Sequence, residues 1–188
     1  MVNDLIFVQM SGAPGSGKST IARSLAPLIG AVVIDHDITK TALLDWDIPV
    51  EAAGRASYGV LDALARDLLS QGRSVIFDSP CFYADLLERG LSLARAFGAR
   101  YRYIECVVTD TEMLDRRLQA RDTQRSQRRG IAIPPVDVGD VDVLSKEAIH
   151  KQQLENTKRP SDACLSLDTT MALETCIRQC LDYVQSRD

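Results

Sequence analysis

Eight consecutive residues, Gly12-Ala13-Pro14-Gly15-Ser16-Gly17-Lys18-Ser19, fit the pattern G-x-x-x-x-G-K-[ST], with Thr20 directly after them. Each residue type has a physical task. Glycines accept the torsions that turn successive backbone N–H groups inward around a phosphate. A helix starting at the lysine aims its positive end at the same anion. The Lys18 ammonium reaches the outer phosphates, and the Ser19 hydroxyl is suited to Mg²⁺.

Further along the chain, Asp35-His36-Asp37 follows an apolar run, with Lys40 three residues later. A carboxylate placed there can take the proton from a hydroxyl that attacks a phosphoryl group. The alternative for Asp35 and Asp37 is helix capping, and Asp37 could cap a following helix and still do chemistry. Asp78 ends another apolar run, Ser74-Val75-Ile76-Phe77. It either holds Mg²⁺, directly or through water, or faces the acceptor. Residues 116–129 hold six arginines against the single acid Asp122, although the chain carries a net charge of −4. That concentration points to a specific anionic ligand. Arg117 and Arg121, four apart, are expected on one helix face, where guanidinium groups could stabilise charge on a transferring phosphoryl group. Arg125, Arg128 and Arg129 either are solvated or meet an anionic acceptor.

The elements that must position these residues are legible as alternating short β-rich and longer helical runs. Strands are expected at 5–8, 31–34, 74–77, 101–108 and 163–167. Helices are expected from Lys18 (Ile21, Leu25 and Leu28 on one face), through Val60, Leu61, Leu64 and Leu68, over 86–97, through Met113, Leu114 and Leu118, and over 143–155. A last helix carries Leu173, Cys176, Ile177, Cys180, Leu181 and Val184 as an apolar stripe. Strands separated by helices imply a parallel sheet covered on both faces. Gly130, Pro134, Pro135 and Gly139 make 123–141 a loop, and with the arginines before it the segment 121–141 has the composition of a lid. Residues 41–60, including Trp46 and Tyr58, either line the acceptor pocket or pack in the core. The 188 residues form one domain with no linker or repeat.

Composition excludes several classes. A hydrophobic fraction of 45% with 26% charged residues is wrong for disorder. No apolar run is long enough to span a membrane. The five cysteines form neither a disulfide framework nor a zinc pair, and the start of the chain has no secretory pattern, so a reducing cytoplasm is expected. An aromatic fraction of 5% and an acidic body favour a small-molecule partner over extended single-stranded nucleic acid. Asn156-Thr157-Lys158-Arg159 lacks the aspartate of an Asn-Lys-x-Asp guanine motif, which counts against a GTP switch; a nucleotide-binding regulatory module without transfer activity is the other alternative.

Taken together, Ser11 to Thr20, Ile34 to Lys40, Val75 to Asp78 and Arg117-x-x-x-Arg121 make the chain resemble the small P-loop kinases related to adenylate kinase, often called AAA-type ATP-binding kinases. That group includes polynucleotide 5′-hydroxyl kinases, chloramphenicol phosphotransferases and zeta-toxin-like sugar-nucleotide kinases. The resemblance covers nearly the whole chain. It implies a three-layer α/β P-loop NTPase fold with a five-stranded parallel sheet in the order 2-3-1-4-5. It also implies ATP and Mg²⁺ as cofactors and phosphoryl transfer to a hydroxyl, on a small molecule or, alternatively, at the 5′ end of a nucleotide or nucleic acid. Between the two aspartates it singles out Asp37 as general base, with Lys40 at a position where arginine is common and contacts acceptor or phosphate.

Overall fold

The computed structural model describes residues 4–139, 144–161 and 164–186. Its five strands are β1 (Ile6–Ser11), β2 (Ala31–Asp35), β3 (Ser74–Asp78), β4 (Arg100–Val107) and β5 (Leu165–Asp168). Its helices are α1 (Lys18–Ile29), α2 (His36–Asp45), α3 (Val50–Ser70), α4 (Ala84–Ala96), α5 (Thr111–Ala120), α6 (Lys146–Asn156) and α7 (Leu173–Gln185). The strands are all parallel, in the order β2-β3-β1-β4-β5. The expected sheet is therefore the observed one.

Strand alternation sorts the core into two layers. Val8, Met10, Ile76, Ile104, Cys106 and Leu167 point to one face, where Ile21 and Leu25 of α1 meet Cys176, Cys180 and Val184 of α7. Phe7, Val75 and Phe77 point to the other, against Leu61, Ala65 and Leu69 of α3 and Leu93 and Ala94 of α4. The α7 thiols are thus buried packing groups, and all five cysteines are free.

Several local expectations are revised. Leu28, Val60 and Leu64 are exposed. The buried line of α3 is Ala53, Ser57, Leu61, Ala65 and Leu69, so small residues do much of the packing where larger ones were expected to. The helix expected from 143 starts at Lys146, capped by the Ser145 hydroxyl on the Ala148 N–H; residue 143 itself, like 163 at the expected start of β5 and 140–141 at the end of the expected lid, lies outside the described residues.

Segment 121–139 has no regular helix or strand, yet it brings core of its own. Ile131 is 2% exposed and packs with Val108, Leu114 and Leu118. Buried Asp115 fastens its foot: Oδ1 accepts the Ile131 N–H at 2.8 Å, while Oδ2 meets Lys146 Nζ at 2.7 Å. A bound carboxylate of this kind answers a backbone donor that burial would otherwise strand.

Candidate active site

In a parallel sheet the crevice beyond the carboxyl ends of the strands is where loops converge. Here that region is an open cleft of about 770 Å³ lined from the β1–α1 loop, α1, the ends of β2 and β3, α2, α5, the 121–139 segment and the turn after β5.

The β1–α1 loop forms its floor. Gly12 has φ 128° and Gly17 φ 89°, torsions that disfavour any side chain. A Cβ on Gly12 would also lie 2.3 Å from the Cys106 carbonyl oxygen, so the loop can sit this close to β4 only with glycine there. Gly17 caps α1 without a side-chain hydrogen bond, leaving the first turn's N–H groups unclaimed by any capping side chain. Gly12, Ala13 and Ser16 are buried beneath the loop, whereas Pro14, Gly15, Gly17, Lys18, Ser19 and Thr20 line the cleft. Lys18 Nζ donates to the carbonyls of Gly12 at 2.9 Å and Ala13 at 3.0 Å. Burial lowers its pKa, a tendency opposed by the negative charge of Asp78 and Asp37.

Asp35 and Asp78 end adjacent strands in direct register. Asp78 is 3% exposed, and its Oδ2 has no hydrogen-bond partner among the described residues. Burial pushes its carboxyl up to about 6, with the Asp35 charge adding to the rise and Lys18 and the Ser19 hydroxyl opposing it. A buried, unpartnered carboxylate oxygen beside a hydroxyl is the donor set a small, hard cation uses alongside phosphate oxygens and water. Ser19 and Asp78 therefore fit Mg²⁺.

The two aspartates after β2 divide their roles. Asp35 is the N-cap of α2: Oδ1 accepts the N–H groups of Asp37 at 2.9 Å and Ile38 at 3.3 Å, and Oδ2 pairs with Arg23 at 3.1 Å. The cap is Asp35, not Asp37, and its carboxylate is occupied in positioning even though it lines the cleft. Asp37 sits in the first turn of α2. Its Oδ2 accepts from Gln127 Nε2 at 2.9 Å, and its Oδ1 lies 3.4 Å from His36 Nδ1. Burial raises the Asp37 carboxyl, but the contacts from His36 and Gln127 and the charge of Lys18 outweigh it and hold the group below its ordinary value. It is thus an ionised acceptor at neutral pH.

Arg117 and Arg121 both line the cleft, but not from one helix face as expected. α5 ends at Ala120, and Arg121 follows it in extended conformation. Arg117 donates to the Thr169 carbonyl at 2.9 Å, and Thr169 Oγ1 donates to the Ser16 carbonyl at 2.7 Å, which ties α5, the end of β5 and the phosphate-type loop together. Arg121 donates to the Arg128 carbonyl at 2.9 Å, while its buried Nε has no partner among the described residues. Arg128 lines the cleft too; Arg125 is instead tied to Asp137, Asp45 and the Leu44 carbonyl, and Arg129 is exposed. Lys40 lines the cleft one turn after Asp37.

Trp46 does not join the pocket. It is 84% exposed beyond the end of α2. Tyr58 stacks on His36 with ring centroids 4.2 Å apart, so it backs the Asp37 neighbourhood without lining the cleft. Sequence reasoning passed over His36, Ser126, Gln127 and Thr169. Only their polarity within suspect segments marked them, since each acts through a partner distant in sequence or held by local geometry.

A family model described as an AAA domain matches residues 7–132, and the chain belongs to that family. The fold it adopts is that of small P-loop kinases. A protein of Chloroflexus aurantiacus assigned as a kinase superposes with TM-score 0.71 at 20% identity, covering 97% of this chain and all of the other. The APS kinase of Mycobacterium tuberculosis, solved with AMPPNP and APS, gives 0.66 at 18%, with 97% and 99% covered. A gluconokinase of Sinorhizobium meliloti gives 0.61 at 17%, with 98% and 93% covered. In sequence, an uncharacterized protein of Mycobacterium tuberculosis is 38% identical over 81 residues, 37% of this chain. The match spans 16% of that relative's length.

Proposed function

We propose that the protein is a Mg²⁺-assisted, ATP-dependent phosphotransferase that moves the γ-phosphoryl group to a hydroxyl of a small molecule, with Asp37 as general base. The observation that carries this reading is the convergence of Lys18 and Asp37 in one cleft with the Ser19–Asp78 pair. The cleft lining holds six cationic and four anionic side chains, a net positive wall suited to a nucleotide triphosphate. The kinases that share the fold support it by name: gluconokinase and APS kinase denote small-molecule acceptors, and the latter was solved with a nucleotide analogue.

Each residue then has a defined task. The loop amides and the start of α1 hold the phosphates. Lys18 exchanges its carbonyl partners for phosphate oxygen, and Arg117 and Arg121 meet charge on the transferring group, the unpartnered Nε of Arg121 being a ready donor. Asp37 takes the proton of the acceptor hydroxyl as its oxygen bonds to the γ-phosphorus; the bond to the bridging oxygen breaks and ADP leaves. Ser19 and Asp78 would hold Mg²⁺, which when bound neutralises phosphate charge. Segment 121–139 serves as the lid, and Lys40 faces the acceptor. Five free cysteines support a reducing compartment such as the cytoplasm.

The test is a transfer screen with γ-labelled ATP against sugars, antibiotics, nucleosides and 5′-hydroxyl oligonucleotides. A small-molecule product supports the reading; labelling of oligonucleotides alone moves the acceptor to nucleic acid. ATP hydrolysis indifferent to every acceptor would turn the protein into a nucleotide-binding module. Asp37→Asn should lower single-turnover transfer by about 10²-fold or more while nucleotide binding persists, and a larger defect in Asp35→Asn reverses the assignment.

A further inference from the structure

The turn at 124–127 is seated on α2 by a set of contacts that no phosphate-binding role requires. Ser126, buried, donates its N–H to Thr41 Oγ1 at 3.2 Å and its hydroxyl to the Asp37 carbonyl at 3.0 Å, while the Thr41 hydroxyl donates to Ser126 Oγ at 2.9 Å. Arg125 reaches the far end of the helix at the Leu44 carbonyl, 2.7 Å away. The turn thus grips α2 at both ends.

Gln127 stands at the inner edge of this seat. Its Oε1 accepts the Gln124 N–H at 3.3 Å, and the turn is closed by Gln127 N–H on the Gln124 carbonyl at 2.9 Å. An amide whose oxygen is engaged by a backbone donor has its NH₂ set by default. That NH₂ points at Asp37 Oδ2, 2.9 Å away. With His36 at Oδ1, both carboxylate oxygens are addressed, so the plane of the carboxylate is fixed from two sides.

We propose that Gln127 is a positioning residue for Asp37, brought by the 124–127 turn so that the base is aligned when this turn is seated on α2. The proposal rests on the reading of Asp37 as the base. It gives the arginine-rich segment a second task, since the same stretch that carries Arg121 and Arg128 to the nucleotide side also sets the acceptor side. Closure over phosphate and alignment of the base become one event.

The test is single-turnover transfer from ATP to the acceptor found in the screen, with AMPPNP affinity measured in parallel. Gln127→Ala should slow transfer by roughly 10- to 10²-fold, the scale of a misplaced reacting group, with AMPPNP affinity unchanged. Gln127→Glu keeps the shape but sets an oxygen against the carboxylate, and should be slower than Gln127→Ala. In an Asp37→Asn background Gln127→Ala should cost nothing more, because positioning a base that is gone has no value. Loss of AMPPNP affinity in step with rate, or a Gln127→Ala defect that multiplies with that of Asp37→Asn, overturns the proposal in favour of a lid or fold role. A crippled Asp37→Asn beside a fully active Gln127→Ala overturns it alone. Full transfer by Asp37→Asn removes the base assignment and this proposal together.

Discussion

At the scale of single residues, the site keeps charges where water would hold them more cheaply. Asp78 is the clearest instance. Its folded pKa, about 6, lies above the ordinary value of 3.8. A raised acid binds more protons folded than unfolded, so its contribution is fully favourable below pH 4 and is lost as pH rises through 6. Above that the ionised carboxylate costs on the order of 3 kcal/mol in the free protein. Asp78→Asn should therefore stabilise the protein against urea at pH 7.5, without Mg²⁺ or nucleotide, and lose that advantage at pH 4. The same variant should lose Mg²⁺-dependent transfer. Equal urea midpoints at both pH values would show that the carboxylate carries no such cost.

The residue scale also shows what the sequence could and could not reveal. The glycines and Lys18 were legible because their work is local: torsions and a lysine at fixed spacing define the loop by themselves. Asp35 and Asp37 were not separable, because which one caps depends on where α2 begins, and helix starts shift by a residue or two for small differences in energy. The Gln127–Asp37 contact joins positions ninety apart in the chain and is set by packing alone.

At the scale of elements, α2 is the part whose placement decides the chemistry. Its cap is Asp35, so Asp35→Ala leaves the Asp37 and Ile38 N–H groups without their acceptor and should cost about 1 kcal/mol. The Arg23 partner is largely exposed, and its loss adds little. Asp35→Asn can still cap and should retain both stability and most transfer activity. Urea melts and single-turnover rates on the two variants check the distinction; an Asn variant as impaired as Ala would mean the charge, rather than the cap, matters. Segment 121–139, proposed as the lid, is the second such element. Its composition announced a loop, but Ile131 anchors one part in a small core and Arg125 ties another to α2 and Asp137. Arg121 and Arg128 still face the cleft, so AMPPNP should slow amide exchange across 121–139. Equal exchange with and without it would show that the segment does not respond to nucleotide. Arg121 passed for a helical residue because i, i+4 spacing assumes the helix continues, and α5 stops one residue short.

At the scale of the whole molecule, the cleft is where separate layers meet. The loop after β1 belongs to the centre of the sheet, Thr169 to its edge, Arg117 to α5, and Asp37 to a helix on the far side of β3. The parallel sheet was legible in the alternation of apolar and helical runs, whereas its strand order came with the family resemblance alone. A ligand that spans these parts should stabilise all of them at once. Binding to the folded form alone adds RT ln(1 + [L]/Kd), about 2.7 kcal/mol when Mg–AMPPNP is present at 100 times its Kd. For a chain of this size each kcal/mol raises the midpoint by roughly 2–4 °C, so an upward shift of about 5–11 °C is expected. Lys18→Ala should abolish most of that shift while leaving the ligand-free fold intact, because the ammonium's own partners are two loop carbonyls rather than core. Arg125→Ala, which removes the tie to the far end of α2 but leaves those of Ser126 and Gln127 and does not touch the phosphate loop, should keep a partial shift. Differential scanning calorimetry with and without Mg–AMPPNP separates the three. A Lys18→Ala protein that gains as much as the wild type would show that the nucleotide is held somewhere other than the β1–α1 loop.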